Sequence, residues 1–220
     1  MENNEDYNIN YEYIVRYIRD TIKKNDGLLK EMEQYAKVND VPIAQPETIR
    51  FIETLILSAK AKSVLEVGSA IGYTAITLAN HGCTVDTIER NEEIIPVLYE
   101  NIEKSGHKDK IKVYEGDATK ILSELNGRYD FIFLDAAKAQ YMEFLPHCLR
   151  MLNDGGIIFS DNILYKGMVA TDELFRRRKI TIIRRLRKYL EELCNNESLV
   201  TSIVPIGDGA AISYYKKEQK

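Results

Sequence analysis

Ser63-Val64-Leu65-Glu66-Val67-Gly68-Ser69-Ala70-Ile71-Gly72-Tyr73-Thr74 is the stretch that decides the fold. Ser63 to Val67 is a short apolar run with one carboxylate, Glu66, near its carboxyl end. Gly68 and Gly72 follow, where the backbone can take torsions and close approaches that a Cβ would block. Ala75, Ile76, Leu78 and Ala79 then recur at helical spacing. A buried strand, a glycine turn and a helix in that order open an α/β unit. In an open α/β sheet a nucleotide-like ligand lies in the crevice beyond the carboxyl end of the first strand.

Downstream the alternation continues. Apolar runs predict strands over 84–89, 111–115, 129–135 and 155–160, with helices over 92–105, 118–125 and 139–152 between them. The most apolar run, Phe131-Ile132-Phe133-Leu134, ends in Asp135, and the next ends at Asp161-Asn162. Such β-α alternation implies right-handed crossovers and a mostly parallel sheet with helices on both faces. The chain then changes style. A long charged helix is predicted over 172–195, and two strands, 199–206 and 210–216, are separated only by Gly207-Asp208-Gly209. So short a link cannot be a parallel crossover, so these strands form an antiparallel hairpin.

Upstream, Tyr11, Ile14, Val15, Ile18 and Ile22 form a helical stripe within residues 7–22, and Leu28, Leu29, Met32, Tyr35 and Ala36 form a second after Gly27. These helices can cover the active site, form a dimer face or pack on the core; packing is the commonest use of such stripes, and an added N-terminal element often also shapes substrate access. Val41-Pro42-Ile43-Ala44-Gln45-Pro46 is an extended linker, since a proline disfavours helix in the residue before it. Pro46 opens a third helix with Ile49, Ile52, Leu55, Ile56 and Ala59 on one face. One domain over 1–220 is expected, with N-terminal helices and linker over 1–45 and a catalytic core over 46–220.

Composition narrows the setting. The formal net charge of −4 gives no general affinity for nucleic acid, although a local basic segment can supply one. Cys83, Cys148 and Cys194 lie far apart with no Cys-x-x-Cys pair, which suits a reducing cytoplasm and disfavours structural zinc. The acidic start, Met1-Glu2-Asn3-Asn4-Glu5-Asp6, does not resemble a signal peptide, and no apolar run approaches the ~20 residues that span a bilayer. A cytoplasmic protein with no membrane partner is expected. On that basis the sequon Asn196-Glu197-Ser198 is read as chance.

Glu66, Glu89, Asp117 and Asp135 all fall at or just past the carboxyl ends of successive predicted strands, which line one crevice in this architecture. Glu89 follows Glu66 by 23 residues, near the spacing at which an acid accepts hydrogen bonds from ribose hydroxyls. Asp117-Ala118 can contact an adenine edge, or Asp117 can cap the next helix. Gly68-x-x-x-Gly72 is not G-x-G-x-x-G, and no G-x-x-x-x-G-K-[ST] loop occurs. An acid at the end of the first strand repels a pyrophosphate and suits a cation. S-adenosylmethionine, with its sulfonium, ammonium and ribose diol, fits that pattern.

Asp135-Ala136-Ala137-Lys138 and Asp161-Asn162 form a second constellation at the ends of neighbouring strands. Two carboxylates and an amide suit Mg²⁺, Ca²⁺ or Mn²⁺ rather than zinc, and leave positions for substrate. The alternative is a helix cap at Asp135 and a turn at Asp161-Asn162. Lys138, one helical turn after Asp135, lies where it can meet a substrate hydroxyl.

At these residues the chain resembles the class I S-adenosylmethionine-dependent, metal-dependent O-methyltransferases of the catechol and caffeoyl-CoA type. Within them it looks most like bacterial tRNA 5-hydroxyuridine methyltransferases. The segments that carry the resemblance are Val41-Pro42-Ile43, Leu65 to Tyr73, Ile88-Glu89-Arg90-Asn91, Asp135 to Tyr141, Asp161 to Gly167 and Pro205 to Gly209. The resemblance implies a Rossmann-like class I methyltransferase fold of seven strands. It implies that Glu66, Gly68 and Thr74 hold the methionine end of the cofactor, Glu89 the ribose, and Asp117 with Ala118 the adenine. Ala44, where relatives often carry a bulkier apolar residue, would meet the cofactor from the linker. Asp135 would also border the cofactor and, with Asp161 and Asn162, bind a divalent metal, Mg²⁺ first. Lys138 and Asp135 would act in catalysis.

Catechols and 5-hydroxyuracil both offer two adjacent oxygens to one metal, so these motifs cannot separate them. Arg176, Arg177, Arg178, Lys179, Arg184, Arg185, Arg187 and Lys188 crowd one segment with no acid between them. A solvated helix face is the ordinary use of such a run. Its density favours phosphate contacts and hence tRNA, bound near the anticodon, as substrate. The expected reaction is methylation of 5-hydroxyuridine at the wobble position to 5-methoxyuridine, with catechol-like small molecules as the alternative. A non-catalytic cofactor- or RNA-binding protein is a third reading, disfavoured by the intact Asp135, Lys138, Asp161 and Asn162. A homodimer through the N-terminal helices or the hairpin is expected.

Overall fold

The computed structural model describes residues 9–174 and 176–217. The acidic start of the chain and the first residues of the predicted 7–22 helix lie outside the described residues. One seven-stranded sheet runs β3-β2-β1-β4-β5-β7-β6. Its strands are β1 (Ser63–Val67), β2 (Thr84–Glu89), β3 (Ile111–Glu115), β4 (Tyr129–Leu134), β5 (Leu152–Ser160), β6 (Leu199–Val204) and β7 (Ala210–Tyr215). β1 to β5 pair in parallel, while β7 inserts antiparallel between β5 and β6. The predicted hairpin and seven-stranded architecture are both present. The chain runs outward from β1 to β3, then returns to lay β4 on the other side of β1, so the topological switch falls between β1 and β4. Ligands bind at such a point, beyond the strand ends.

Among the described residues, eight α-helices surround the sheet: α1 (Glu12–Thr21), α2 (Gly27–Val38), α3 (Pro46–Ser58), α4 (Tyr73–Asn80), α5 (Ile95–Ser105), α6 (Ala118–Glu124), α7 (Tyr141–Met151) and α8 (Ile180–Asn195). β4 shows why the sheet is central. Phe131 and Phe133 join the core on the side of Ile52, Ile76 and Leu98, while Ile132 and Leu134 join Tyr141, Phe144 and Leu186 on the other. A parallel strand covered on both faces reads as an unbroken apolar run. Each such side chain contributes roughly 1.5–3 kcal/mol relative to exposure.

Several boundaries differ from the pattern-based expectation. α8 begins at Ile180, not at 172, because its buried face starts with Ile183 and continues through Leu186, Tyr189, Leu190 and Leu193. The preceding acids and arginines have no such face. Thr171 accepts the Glu173 N–H, and Asp172 pairs with Arg187 at 2.8 Å. α5 begins at Ile95 because Asn91 Oδ1 takes the Glu93 N–H in a turn before Pro96. A 3-10 turn, Lys138–Gln140, precedes α7.

The expected packing of the first stripe fails. α1 has no buried residue: of the stripe, Tyr11, Ile14 and Ile18 are exposed and Val15 and Ile22 only partly buried, while Tyr13 and Tyr17 face solvent at 67% and 72% exposure. Polar contacts hold it instead. Arg19 donates to both Glu47 oxygens at 2.7 and 2.8 Å and to Gln45 at 2.8 Å, and Asn10 donates to the Pro205 carbonyl. α2 does pack, burying Met32 and Ala36.

Glu66 is a carboxylate inside this core, 1% exposed. The Thr87 hydroxyl donates to it at 2.6 Å and is itself in contact with the Ser69 hydroxyl. Burial pushes its carboxyl up to about 8, helped by the charges of Asp135 and Glu89 and opposed by Thr87 and Thr74. An unfolded glutamate titrates near 4.5, so between about 4.5 and 8 the folded chain holds a proton that the unfolded chain has lost. Stability from this group therefore falls as pH rises across that window. Glu66→Gln should reduce the fall in melting temperature between pH 5 and pH 8, measured without cofactor. Equal slopes for variant and wild type would show that Glu66 is ionised throughout.

Candidate active site

A cavity of about 1050 Å³ opens over the carboxyl ends of β1, β2, β4 and β5. Gly68 explains its location. Its φ is +102°, and a Cβ there would collide with the Asp135 carbonyl. The first turn thus presses against the end of β4, which sets Asp135 beside the glycine turn. Gly72, left-handed at φ 84°, caps α4.

The residues predicted to hold the cofactor converge here, with one exception. Gly68, Thr74, Glu89, Asp117, Ala118 and Ala44 all line the cavity. Glu66 does not line it and lies beneath the turn. Glu89 is fixed by three backbone N–H groups: Ala70 on one oxygen at 2.8 Å, and Arg90 and Asn91 on the other at 2.9 Å each. A carboxylate has about four lone-pair sites, so acceptor capacity remains for a ribose hydroxyl. Asp117 caps α6, taking the Thr119 and Lys120 N–H groups on Oδ1 at 3.0 and 3.3 Å. Capping and facing the cavity are therefore compatible at this residue. Ala44 is buried in the cavity wall, at 6% exposure.

The N-terminal helices supply wall residues, the covering use left open for them in the sequence, although the individual residues were not among those predicted. Arg19, Glu33 and Lys37 line the cavity, as does Tyr73. Tyr73 donates to Glu33 at 2.7 Å, and Asn25 donates to both, which ties α2 to the first turn of α4. The only signal was a tyrosine directly after Gly72. Its partners lie 40 and 48 residues away.

The second constellation occupies the other end. Lys138 Nζ pairs with Asp135 Oδ1 at 3.0 Å. Asp161 is 3% exposed, and its Oδ1 accepts the Asn162 N–H at 2.7 Å. The buried Tyr141 hydroxyl reaches the Leu134 carbonyl at 2.9 Å and the Asp161 carbonyl at 3.2 Å, tying the two strand ends that carry the acids. Asn162, Tyr165 and Lys166 have φ of 55°, 47° and 56°. Each costs about 1 kcal/mol or more in that left-handed conformation, so the loop after β5 needs external support.

Burial first, and the Asp135 charge second, push Asp161 up to about 7, while the Asn162 N–H and Lys138 pull it back. Two neighbouring acids of which one is buried make an electrostatic strain that a cation relieves. Asp135, Asp161 and Asn162 are hard oxygen donors of the kind Mg²⁺, Ca²⁺ or Mn²⁺ takes. Among the described residues no group of three or more His, Cys, Asp or Glu could hold a metal ion, so water or substrate oxygens would complete the shell.

The basic segment is not one helix. Arg176 precedes a 3-10 turn, Arg177–Lys179, and all four side chains are exposed, as are Arg184 and Arg185 on α8. It borders the second constellation: Lys179 Nζ stands 5.8 Å over the Tyr165 ring, and Arg185 donates to the Ala139 carbonyl, next to Lys138, at 3.0 Å.

Comparison with known proteins agrees with this geometry. The family model described as O-methyltransferase matches residues 20–216. Caffeoyl-CoA O-methyltransferase 1 of Arabidopsis thaliana is 30% identical over 210 residues, covering 83% of this chain and 78% of the relative. The catechol O-methyltransferase of Niastella koreensis is 28% identical over 218 residues, covering 94% and 98%. A Staphylococcus aureus crystal structure, provisionally named a caffeoyl-CoA O-methyltransferase, superposes with a TM-score of 0.86 at 31% identity, covering 93% of this chain and all of that one. The chain belongs to the S-adenosylmethionine-dependent O-methyltransferases of the caffeoyl-CoA and catechol type.

Proposed function

We propose that the protein methylates one of two adjacent oxygens on a catechol or caffeoyl-type acceptor. The observation that carries this reading is the placement of Asp135, Lys138, Asp161 and Asn162 at one end of a cavity whose other end holds Glu89 and Asp117. S-adenosylmethionine supplies the methyl group, and a divalent cation held by Asp135, Asp161 and Asn162 would acidify and orient the acceptor hydroxyl. Glu89 orients the ribose of the donor and Asp117 its base. Lys138 faces the acceptor end and stabilises negative charge developing on the acceptor oxygen. Gly68 keeps the two ends in register by fixing Asp135 against the first turn.

The exposed arginines beside the acceptor end favour an acceptor with a phosphate-bearing tail over a free catechol. Coenzyme A carries such a tail, and so does RNA. That observation supports a second reading, in which the acceptor is 5-hydroxyuridine at the wobble position of tRNA and the product is 5-methoxyuridine. The exposed α1 face, with Tyr11, Tyr13 and Tyr17, supports a homodimer. Tyr17→Glu should then convert a dimer to a monomer in sedimentation, and a wild-type monomer would reject that assembly.

Asp161→Ala should lower turnover of a catechol acceptor by roughly 10²–10³-fold, the scale of losing one electrostatic stabiliser. Unchanged turnover would reject a metal at this end. Reversing Arg176, Arg177 and Arg178 to glutamate should spare free catechol and raise the KM of a phosphate-bearing acceptor about tenfold, an effect that weakens as salt is added. Equal rates for reversed and wild-type enzyme on both acceptors would remove the segment from substrate binding. Mass spectrometry of tRNA nucleosides from a deletion strain separates the two acceptors. Accumulated 5-hydroxyuridine favours tRNA, and an unchanged profile excludes it.

A further inference from the structure

We infer that Asp208, in the turn between β6 and β7, is the positioning residue that fixes the acceptor end through the loop after β5. The inference rests on the reading of Asp161 and Asn162 as acceptor-end groups. Three hydrogen bonds join that loop to the turn. The Lys166 N–H donates to the Asp208 carboxylate at 2.6 Å, the Leu164 N–H to the Asp208 carbonyl at 3.1 Å, and the Ile163 N–H to the Gly209 carbonyl at 2.9 Å. They bracket the stretch in which Asn162, Tyr165, Lys166 and Gly167 all have positive φ. A loop of that conformation does not hold itself, since left-handed residues persist only where surrounding contacts over-determine them.

The turn is built to receive the loop closely. A Cβ at Gly209, φ +82°, would collide with the Leu164 side chain, and one at Gly207 would lie 2.8 Å from the Thr48 hydroxyl on α3. The turn is thus wedged between α3 and the loop, and its position passes directly to Ile163, adjacent to Asn162. Asp208 is partly buried, and burial raises its carboxyl while the Lys166 N–H and the charges of Lys138 and Lys166 lower it. Its charge therefore lies within reach of the same lysine that pairs with Asp135. The Lys166 N–H on that carboxylate ties the turn to the loop directly.

Asp208→Ala and Asp208→Asn separate this role from a general structural one. In Asp208→Ala, hydrogen exchange at the amides of Ile163, Leu164 and Lys166 should accelerate at least about tenfold, as expected for local release of a segment. The KM for a catechol acceptor should rise about tenfold, with the affinity for S-adenosylmethionine held within about twofold. Asp208→Asn retains an oxygen that can accept from Lys166 and should restore both protection and KM. The inference fails if loop exchange in Asp208→Ala matches wild type, if cofactor affinity falls in parallel, or if the asparagine variant is as impaired as the alanine. Should Asp208→Ala not fold, Asp208→Asn and Gly209→Ala carry the same exchange comparison, the latter through its collision with Leu164. Wild-type enzyme inactive on catechol would reject free catechol as the acceptor and leave the exchange result to decide the role of Asp208.

Discussion

The contact on which the rest depends is the approach of Gly68 to the carbonyl of Asp135. It exists because β1 and β4 are neighbours in the sheet, with Val67 opposite Leu134, although 67 residues separate them. Any side chain at Gly68 would force the two strand ends apart. One backbone contact thereby couples the glycine turn, where the donor's end of the cavity begins, to Asp135, where the acceptor's end begins. Methyl transfer needs the two reactants held in line at near contact, so geometry at this junction bears directly on rate.

Around that junction two acidic side chains are held out of water. Glu66 is buried beneath the turn and Asp161 lies at the end of β5, both raised by burial and by acidic neighbours. Their outlets differ. Glu66 has a hydroxyl partner and lies outside the cavity wall, where burial favours its protonated form. Asp161 lines the cavity with Asp135, Lys138 and Asn162, so a positive charge can relieve it. The same physical penalty thus falls on an acid enclosed beneath the turn and on an acid that faces the cavity. What separates them is access.

Much of this was legible in the sequence because it depends on local patterns at strand ends. The strands β1, β2 and β3 fall where the apolar runs put them, and the three-residue link at Gly207 required a hairpin. Glu89, Asp117, Asp135 and Asp161 follow strand ends, and the topology delivers them to one crevice. What was not legible depends on contacts between distant segments. Glu66 has the same sequence setting as the other acids, yet its position within β1 turns it into the core. The α1 stripe reads as a packing face, but its real anchor is the polar contact from Arg19 to Glu47. The arginine run reads as helix because nothing local stops it. Only the start of the buried face at Ile183 marks where packing begins to hold it.

The two ends of the cavity are also supported by different parts of the chain. The donor end is roofed by α2 and the linker, pinned where Tyr73 meets Glu33 and Asn25. The acceptor end is walled by the loop after β5 and flanked by the basic segment, neither of which contributes a strand to the sheet. A sheet packed on both faces tolerates little change, whereas peripheral loops can vary without disturbing it. Conserving the donor end while varying the acceptor wall is therefore the physically easy way for this scaffold to change acceptor. On this scaffold such variation would fall on the segments 162–167 and 176–185, which lie outside the sheet. Those segments carry left-handed backbone held from the hairpin turn and exposed arginines, features that the packing of the sheet does not itself require.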